Sequence, residues 1–321
     1  MRKTLLKKIL ILLLVCILIL GFIPFGKKQA IKYYKRGTEV LVEEKVAGEA
    51  WLYWLYYNPI GKLSMEAIVK RKFLSEWYGQ AMDRPSSKNK IVEFVRDYQI
   101  DMTDFKKQEY QCFNDFFYRQ LKPGVRSIDK DSLVFVSPAD AKVLVYPNIR
   151  NKDFIVKGYR FNVQEFIQDD ELAEKYLNGS LMIFRLCPTD YHRYHFPVDG
   201  QVLEESKISG DYYSVSPIAL RKKVELICMN KREYTLIQNS IFGSVLMMEV
   251  GATMVGSMVR TYENDRVERG EEKGYFKFGG STVVLLLEEG AIEIDADLIL
   301  NSNRGIETEV KMGERVGIGK R

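Results

Sequence analysis

The chain is expected to fold as α+β, with a mainly antiparallel β core, helices on its N-terminal side and a single transmembrane anchor helix ahead of them. Three observations predict this. Residues 9–25 read ILILLLVCILILGFIPF, 17 residues without a charge. Residues 51–110 carry apolar side chains near helical spacing. From about 132 onward the apolar runs are short, rich in Val and Ile, and bounded by Gly, Asn or Asp, as strands are.

In order, residues 1–28 are read as the membrane anchor. The apolar run is at the lower limit for crossing a bilayer core. The residues after it (Pro24, Phe25, Gly26, Lys27, Lys28) lack the small side chains of a signal-peptide cleavage site, which favours an uncleaved anchor. Six Lys/Arg follow within about 20 residues and four precede, placing the C-terminal region on the cytoplasmic side of the cell membrane. Residues 29–50 are polar and read as a linker. Residues 51–125 form a helical, membrane-proximal region, punctuated by Gly61 and Pro85, in which Ile60, Leu63, Ala67, Leu74, Trp77 and Tyr78 mark the apolar face. The cluster Trp51, Tyr53, Trp54, Tyr56 and Tyr57 has the residue types of a headgroup belt. Residues 126–321 form the β-rich catalytic region. Strands are expected at 133–136, 142–146, 181–186, 224–228, 234–238, 245–250, 283–287 and 292–294, with brief helices at 162–167 and 171–177. No regular alternation of strands with long helices appears, which excludes a doubly wound parallel sheet.

Charge narrows the partners. Residues 1–50 hold ten Lys/Arg against four Asp/Glu, while the remaining residues hold 38 against 39. The basic excess therefore belongs to the N-terminal segment and fits an anionic membrane surface, not a nucleic acid. Cys16, Cys112, Cys187 and Cys228 share no CxxC spacing and only two His could assist them, so no metal site is expected.

Those two His are three residues apart, His192 and His195 in YHRYH. Imidazole is the side chain whose ordinary pKa lies nearest neutrality, so the pair marks a proton-handling segment. Two other segments offer partners: Asp140, closing Ser137-Pro138-Ala139-Asp140, and Ser281, in Phe278-Gly279-Gly280-Ser281-Thr282. Glycines ahead of a hydroxyl allow a strained turn in which the Ser281 hydroxyl could reach the Gly280 carbonyl. With His195 as base and Asp140 orienting it, the set is Asp/His/Ser, and hydrolase chemistry is open on these residues alone. The nucleophile lacks a Gly-x-Ser-x-Gly elbow, which counts against an ordinary esterase.

Seven segments in order carry a resemblance. They are FNDFFYRQLKPGVRSID (113–129), SPAD (137–140), PTDYHRYHFPVDG (188–200), YYSVSPIAL (212–220), MNKRE (229–233), EVGATMVGS (249–257) and GYFKFGGSTVVLL (274–286). With them the chain resembles the phosphatidylserine decarboxylases, pyruvoyl-dependent membrane enzymes, from about residue 55 to 316. The resemblance implies a zymogen that cleaves itself between Gly280 and Ser281. Ser281 is then the nucleophile, His195 its base and Asp140 the partner of that base. The products are a β chain, 1–280, and an α chain, 281–321, which stay associated. Ser281 becomes the pyruvoyl group, the covalent cofactor, with no metal. Its carbonyl forms a Schiff base with the amine of phosphatidylserine and takes up the charge left by departing carbon dioxide. His192 is assigned to the substrate, for proton return. Arg119 and Lys122 stand as candidate contacts to a lipid phosphate. Two alternatives remain open: a pyruvoyl decarboxylase for another amino-acid substrate, and a non-catalytic lipid-binding relic of the scaffold. Oligomeric state is open too, with a homodimer among the options. At 141 the family's usual Gly is Ala, which a positive φ would strain.

Overall fold

A computed structural model describes residues 28–320 apart from 107–108, 150–152, 157–158, 223–224 and 254–256, together with scattered positions between 5 and 21. Most of the expected anchor, 9–25, lies outside the described residues. Among those that are described, no helix is long and apolar enough to cross a membrane.

The core is a ten-stranded sheet. From one edge its order is Arg266–Val267, Gly200–Ile208, Arg232–Asn239, Gly243–Val250, Ser281–Leu287, Ser180–Leu186, Ala141–Tyr146, Glu307–Val310, Lys32–Lys35 and Leu41–Glu43. Every pairing is antiparallel except that of Lys32–Lys35 with Glu307–Val310. The fold is α+β, as expected.

The strand Ser281–Leu287 (STVVLLL) is central and wholly buried. Side chains alternate across a strand, so Val283, Leu285 and Leu287 join one core with Val143, Phe184 and Phe276. Val284 and Leu286 join a second core with Phe166, Ile183 and Leu246. A continuous apolar strand is what a sheet covered on both faces requires.

Two smaller sheets flank it. One orders Met258–Arg260, Glu272–Phe276 and Arg193–His195; the other orders Ile292–Ile294, Arg315–Gly319 and Val134–Val136. The N-terminal helices are Glu49–Tyr57, Pro59–Ser64, Lys72–Asp83 and Asn89–Tyr98, followed by the short Phe113–Phe117. Asn58 opens the second of these, its side chain accepting from Ile60 N at 2.8 Å with Pro59 in the first turn.

Two expectations are corrected. Residues 29–50 are not merely a linker, since they supply two strands at the sheet edge. Of the segment expected as a strand at 224–228, position 224 lies outside the described residues, and 226–228 fall instead in the helix Leu226–Met229. Its apolar run is too short for periodicity to separate strand from helix. The Arg232 guanidinium decides it, donating to the Cys228 and Asn230 carbonyls at the helix end and to those of Glu165 and Phe166.

Candidate active site

The segment ahead of the central strand is held at several points. Phe278 N donates to Asn114 Oδ1 at 2.7 Å. The Asn114 amide donates to Gly79 O and Asp83 Oδ1, so one buried side chain ties the helix Lys72–Asp83 to this segment. The Phe278 ring packs edge-on to Phe113 and Phe117, each at 5.0 Å. Gly279 has φ +145°, a backbone that only glycine adopts readily. A Cβ on Gly280 would stand 3.3 Å from Val215 Cγ2. Ser281 then enters the strand opposite Leu186. It is fully buried, and its Oγ has no hydrogen-bond partner among the described residues; the same holds for Thr282 Oγ1. A buried polar atom left unpaired in a native fold calls for an explanation.

A cavity of about 390 Å³ opens beside Gly279 and Gly280. Trp51, Leu52, Leu55 and Val215 give it an apolar lining, and Arg185 with Glu44 gives it a charged corner. Arg185 bridges Glu44 and Glu307, each at 2.6 Å.

Both His are buried and neutral. His192 Nδ1 lies 3.0 Å from the Asp190 carbonyl, which can only accept, so Nδ1 carries the proton. Its Nε2 has no partner among the described residues. Burial pushes the His192 pKa down to about 3. Its ring lies 3.8 Å from that of Phe117, which in turn meets Phe278. His195 follows the same pattern, with Nδ1 2.9 Å from the Gly270 carbonyl. Its Nε2 accepts from the Tyr191 hydroxyl at 3.1 Å. Burial lowers its pKa as well, against the pull of Glu272 and Asp140.

Asp140 is buried within a cage of donors. Arg126 Nη2 lies 2.7 Å from one oxygen, and Met312 N donates to the other at 2.8 Å. Burial pushes its pKa up, but Arg126, Lys311 and the Met312 amide outweigh this and hold it below the ordinary value. The structure ties His195 through backbone to the segment that carries Asp140, His195 N donating to Pro138 O at 2.8 Å. Among the described residues it makes no hydrogen bond between their side chains, nor from His195 to Ser281. His195 lines a second cavity, of about 330 Å³, with Tyr191, Arg126 and Met312.

The sequence model of the phosphatidylserine decarboxylase family matches residues 113–318. The chain belongs to the phosphatidylserine decarboxylase family. A phosphatidylserine decarboxylase proenzyme of Fusobacterium nucleatum is 52% identical over 293 residues, covering 90% of this chain and 98% of its own. Proteins of the same description from Clostridium botulinum (48% over 294 residues, 90% and 100%) and Desulfitobacterium hafniense (47% over 293 residues, 90% and 98%) are also similar.

One departure from the usual family pattern is harmless. Ala141 opens the strand Ala141–Tyr146 and is not among the residues with positive φ. Among the described residues, no group of three or more His, Cys, Asp and Glu could hold a metal ion. Arg119 does not face solvent to meet a phosphate. It is buried, and its Nη2 donates to the Thr189 and Asp190 carbonyls. Sequence reasoning missed Asn114, Arg126 and Tyr191. Asn114, a lone amide among three aromatics in FNDFF, carried the one usable signal.

Proposed function

We propose that this chain is a self-processing decarboxylase of phosphatidylserine whose reactive carbonyl comes from Ser281. Family membership supports the reaction class. The observation that carries the site is the unpartnered, buried Ser281 hydroxyl two residues after Gly279, a glycine at φ +145°.

In processing, the Ser281 oxygen attacks the Gly280 carbonyl and the peptide nitrogen leaves, giving an ester. Loss of the Ser281 α-proton expels the Gly280 carboxylate and leaves a dehydroalanine. Water then hydrolyses it to a ketone, releasing ammonia. The hydroxyl needs a base, and imidazole Nε2 is the unprotonated nitrogen on both His. His195 serves processing in this reading, held from one side by the Gly270 carbonyl, with Asp140 setting its charge environment. For it to act, Tyr191 must give up Nε2.

When formed, the pyruvoyl carbonyl supplies the electron sink for a carbanion beside nitrogen. The cavity beside Gly280 fits such a group, since it adjoins the segment that would carry it and its lining is mostly apolar. His192, neutral with a bare Nε2, holds the position for proton return in turnover.

The substrate lies in a bilayer, and the helical region suits that surface. Leu63, Ile68, Phe73 and Trp77 are each more than half exposed, with Lys72 beside them. Trp and Lys at an apolar face favour a membrane interface.

Intact mass of the purified protein tests the reading. Two chains, 1–280 and 281–321, with a ketone at the second N-terminus, are expected. One continuous, active polypeptide with an ordinary serine at 281 would refute it.

A further inference from the structure

Arg119 is an unusual buried cation. It is 1% exposed, and its faces lie against the rings of Phe105 at 4.2 Å and Phe116 at 4.9 Å. Only Nη2 finds acceptors, the carbonyls of Thr189 at 2.9 Å and Asp190 at 3.2 Å. Nε and Nη1 have no hydrogen-bond partner among the described residues. Among the described residues no carboxylate pairs with it directly, so the charge is buried at considerable cost. A strut between two carbonyls does not need a charge; a neutral amide would serve.

The Asp190 carbonyl is also the acceptor for His192 Nδ1–H. A carbonyl oxygen has two lone pairs and can take both donors. The same residue is fixed through its carboxylate, by Lys142 at 2.7 Å and Cys187 N at 2.8 Å. We infer that Arg119 is a positioning residue for His192, holding the 189–190 carbonyls so that the imidazole is locked as the Nδ1–H tautomer with Nε2 bare. The inference rests on the decarboxylase reading for the use it gives that nitrogen. Its charge adds a second effect, since the nearby guanidinium opposes protonation of the ring.

The chain contains only two imidazoles. Nitrogen NMR of the full, processed protein labelled in histidine therefore reads each tautomer directly, with His192→Gln, which keeps the processing base, assigning the signals. Wild-type His192 should be protonated at Nδ1 alone near neutral pH. Arg119→Met should give mixed tautomers and lower kcat by at least ~10-fold with KM little changed, as for loss of an oriented acid–base group. Arg119→Lys keeps the charge and one donor, and should retain the tautomer and most of the lost turnover. A wild-type His192 protonated at Nε2 overturns the inference whatever the variants do. So does equal loss of turnover in Met and Lys variants with the tautomer unchanged. If the Met variant does not fold, the wild-type spectrum and the Lys variant decide. Wild-type protein with the expected tautomer but no carbon dioxide release overturns the decarboxylase reading and, with it, the use made of Nε2.

Discussion

A buried hydroxyl without a partner costs on the order of 1–3 kcal/mol, and Ser281 carries that cost at the first position of a central strand. Ser281→Ala should relieve it: the variant is expected to be at least as stable as wild type, yet to stay a single chain and release no carbon dioxide. Stability by denaturant titration and intact mass check both halves. Asn114 acts one step earlier by holding Phe278. Asn114→Ala should slow processing by at least ~10-fold, since it removes a buried hydrogen-bond hub worth a few kcal/mol. The time course of fragment appearance measures that. His192 gives a pH prediction. Its folded pKa lies near 3 against an ordinary 6.5, so in between the unfolded chain binds a proton that the folded chain refuses. Stability from this group is whole above 6.5 and falls as pH drops toward 3, by up to ~1.4 kcal/mol per pH unit. His192→Gln should flatten that slope by about one proton in acid-unfolding curves. At this scale the sequence exposed Ser281 and both imidazoles as candidates, because those residue types are scarce or oddly placed. It did not expose Tyr191 on His195, or Arg126 and the Met312 amide on Asp140. Those contacts join segments that only the tertiary fold brings together.

Among the elements, the central strand explains how the chain, once cut ahead of Ser281 as proposed, would remain one body. Residues 281–321 contribute Ser281–Leu287 between two antiparallel neighbours, Glu307–Val310 further along the same sheet, and two strands of a smaller sheet. Ion pairs cross the proposed cut, the buried Arg185 with Glu307 and Lys142 with the half-buried Glu309, and Met312 N holds Asp140. The two fragments should therefore co-elute under native conditions and separate only in denaturant; native gel filtration beside a denaturing gel tests this. Apolar strands such as 245–250 and 283–287 were legible because both faces are covered. Gly200–Ile208 was not, since Gln201, Leu203, Glu204, Glu205 and Lys207 are all exposed and the apolar signal is thin. The edge strands within 29–50 escaped for a related reason. They are four and three residues long, and the one that enters the sheet, Lys32–Lys35, does so against Glu307–Val310, 274 positions away, which leaves no local trace.

Across the whole molecule, the cavity at Gly280 lies under the same helical region that presents apolar side chains outward. Trp51 and Leu52 line the cavity from Glu49–Tyr57. Phe73 and Trp77 project from Lys72–Asp83, each 60% exposed, and the inner side of that helix is tied through Asn114 to the segment before the cut. Seating this surface on a bilayer would bring the cavity wall to the lipid, shortening the path of a substrate that cannot leave the membrane cheaply. Each large apolar side chain moved out of water contributes ~1.5–3 kcal/mol. Replacing Phe73 and Trp77 together by Glu should then raise the apparent KM for phosphatidylserine in vesicles by at least ~10-fold. Processing is intramolecular and needs no lipid, so the 41-residue fragment should still form at the wild-type rate. kcat at saturating vesicles should change little, because neither side chain touches the reacting segment. Brominated lipid should quench the Trp77 emission in the wild-type protein. A double variant with an unchanged KM, or a Trp77 indifferent to the quencher, would show that this helical face meets something other than the membrane.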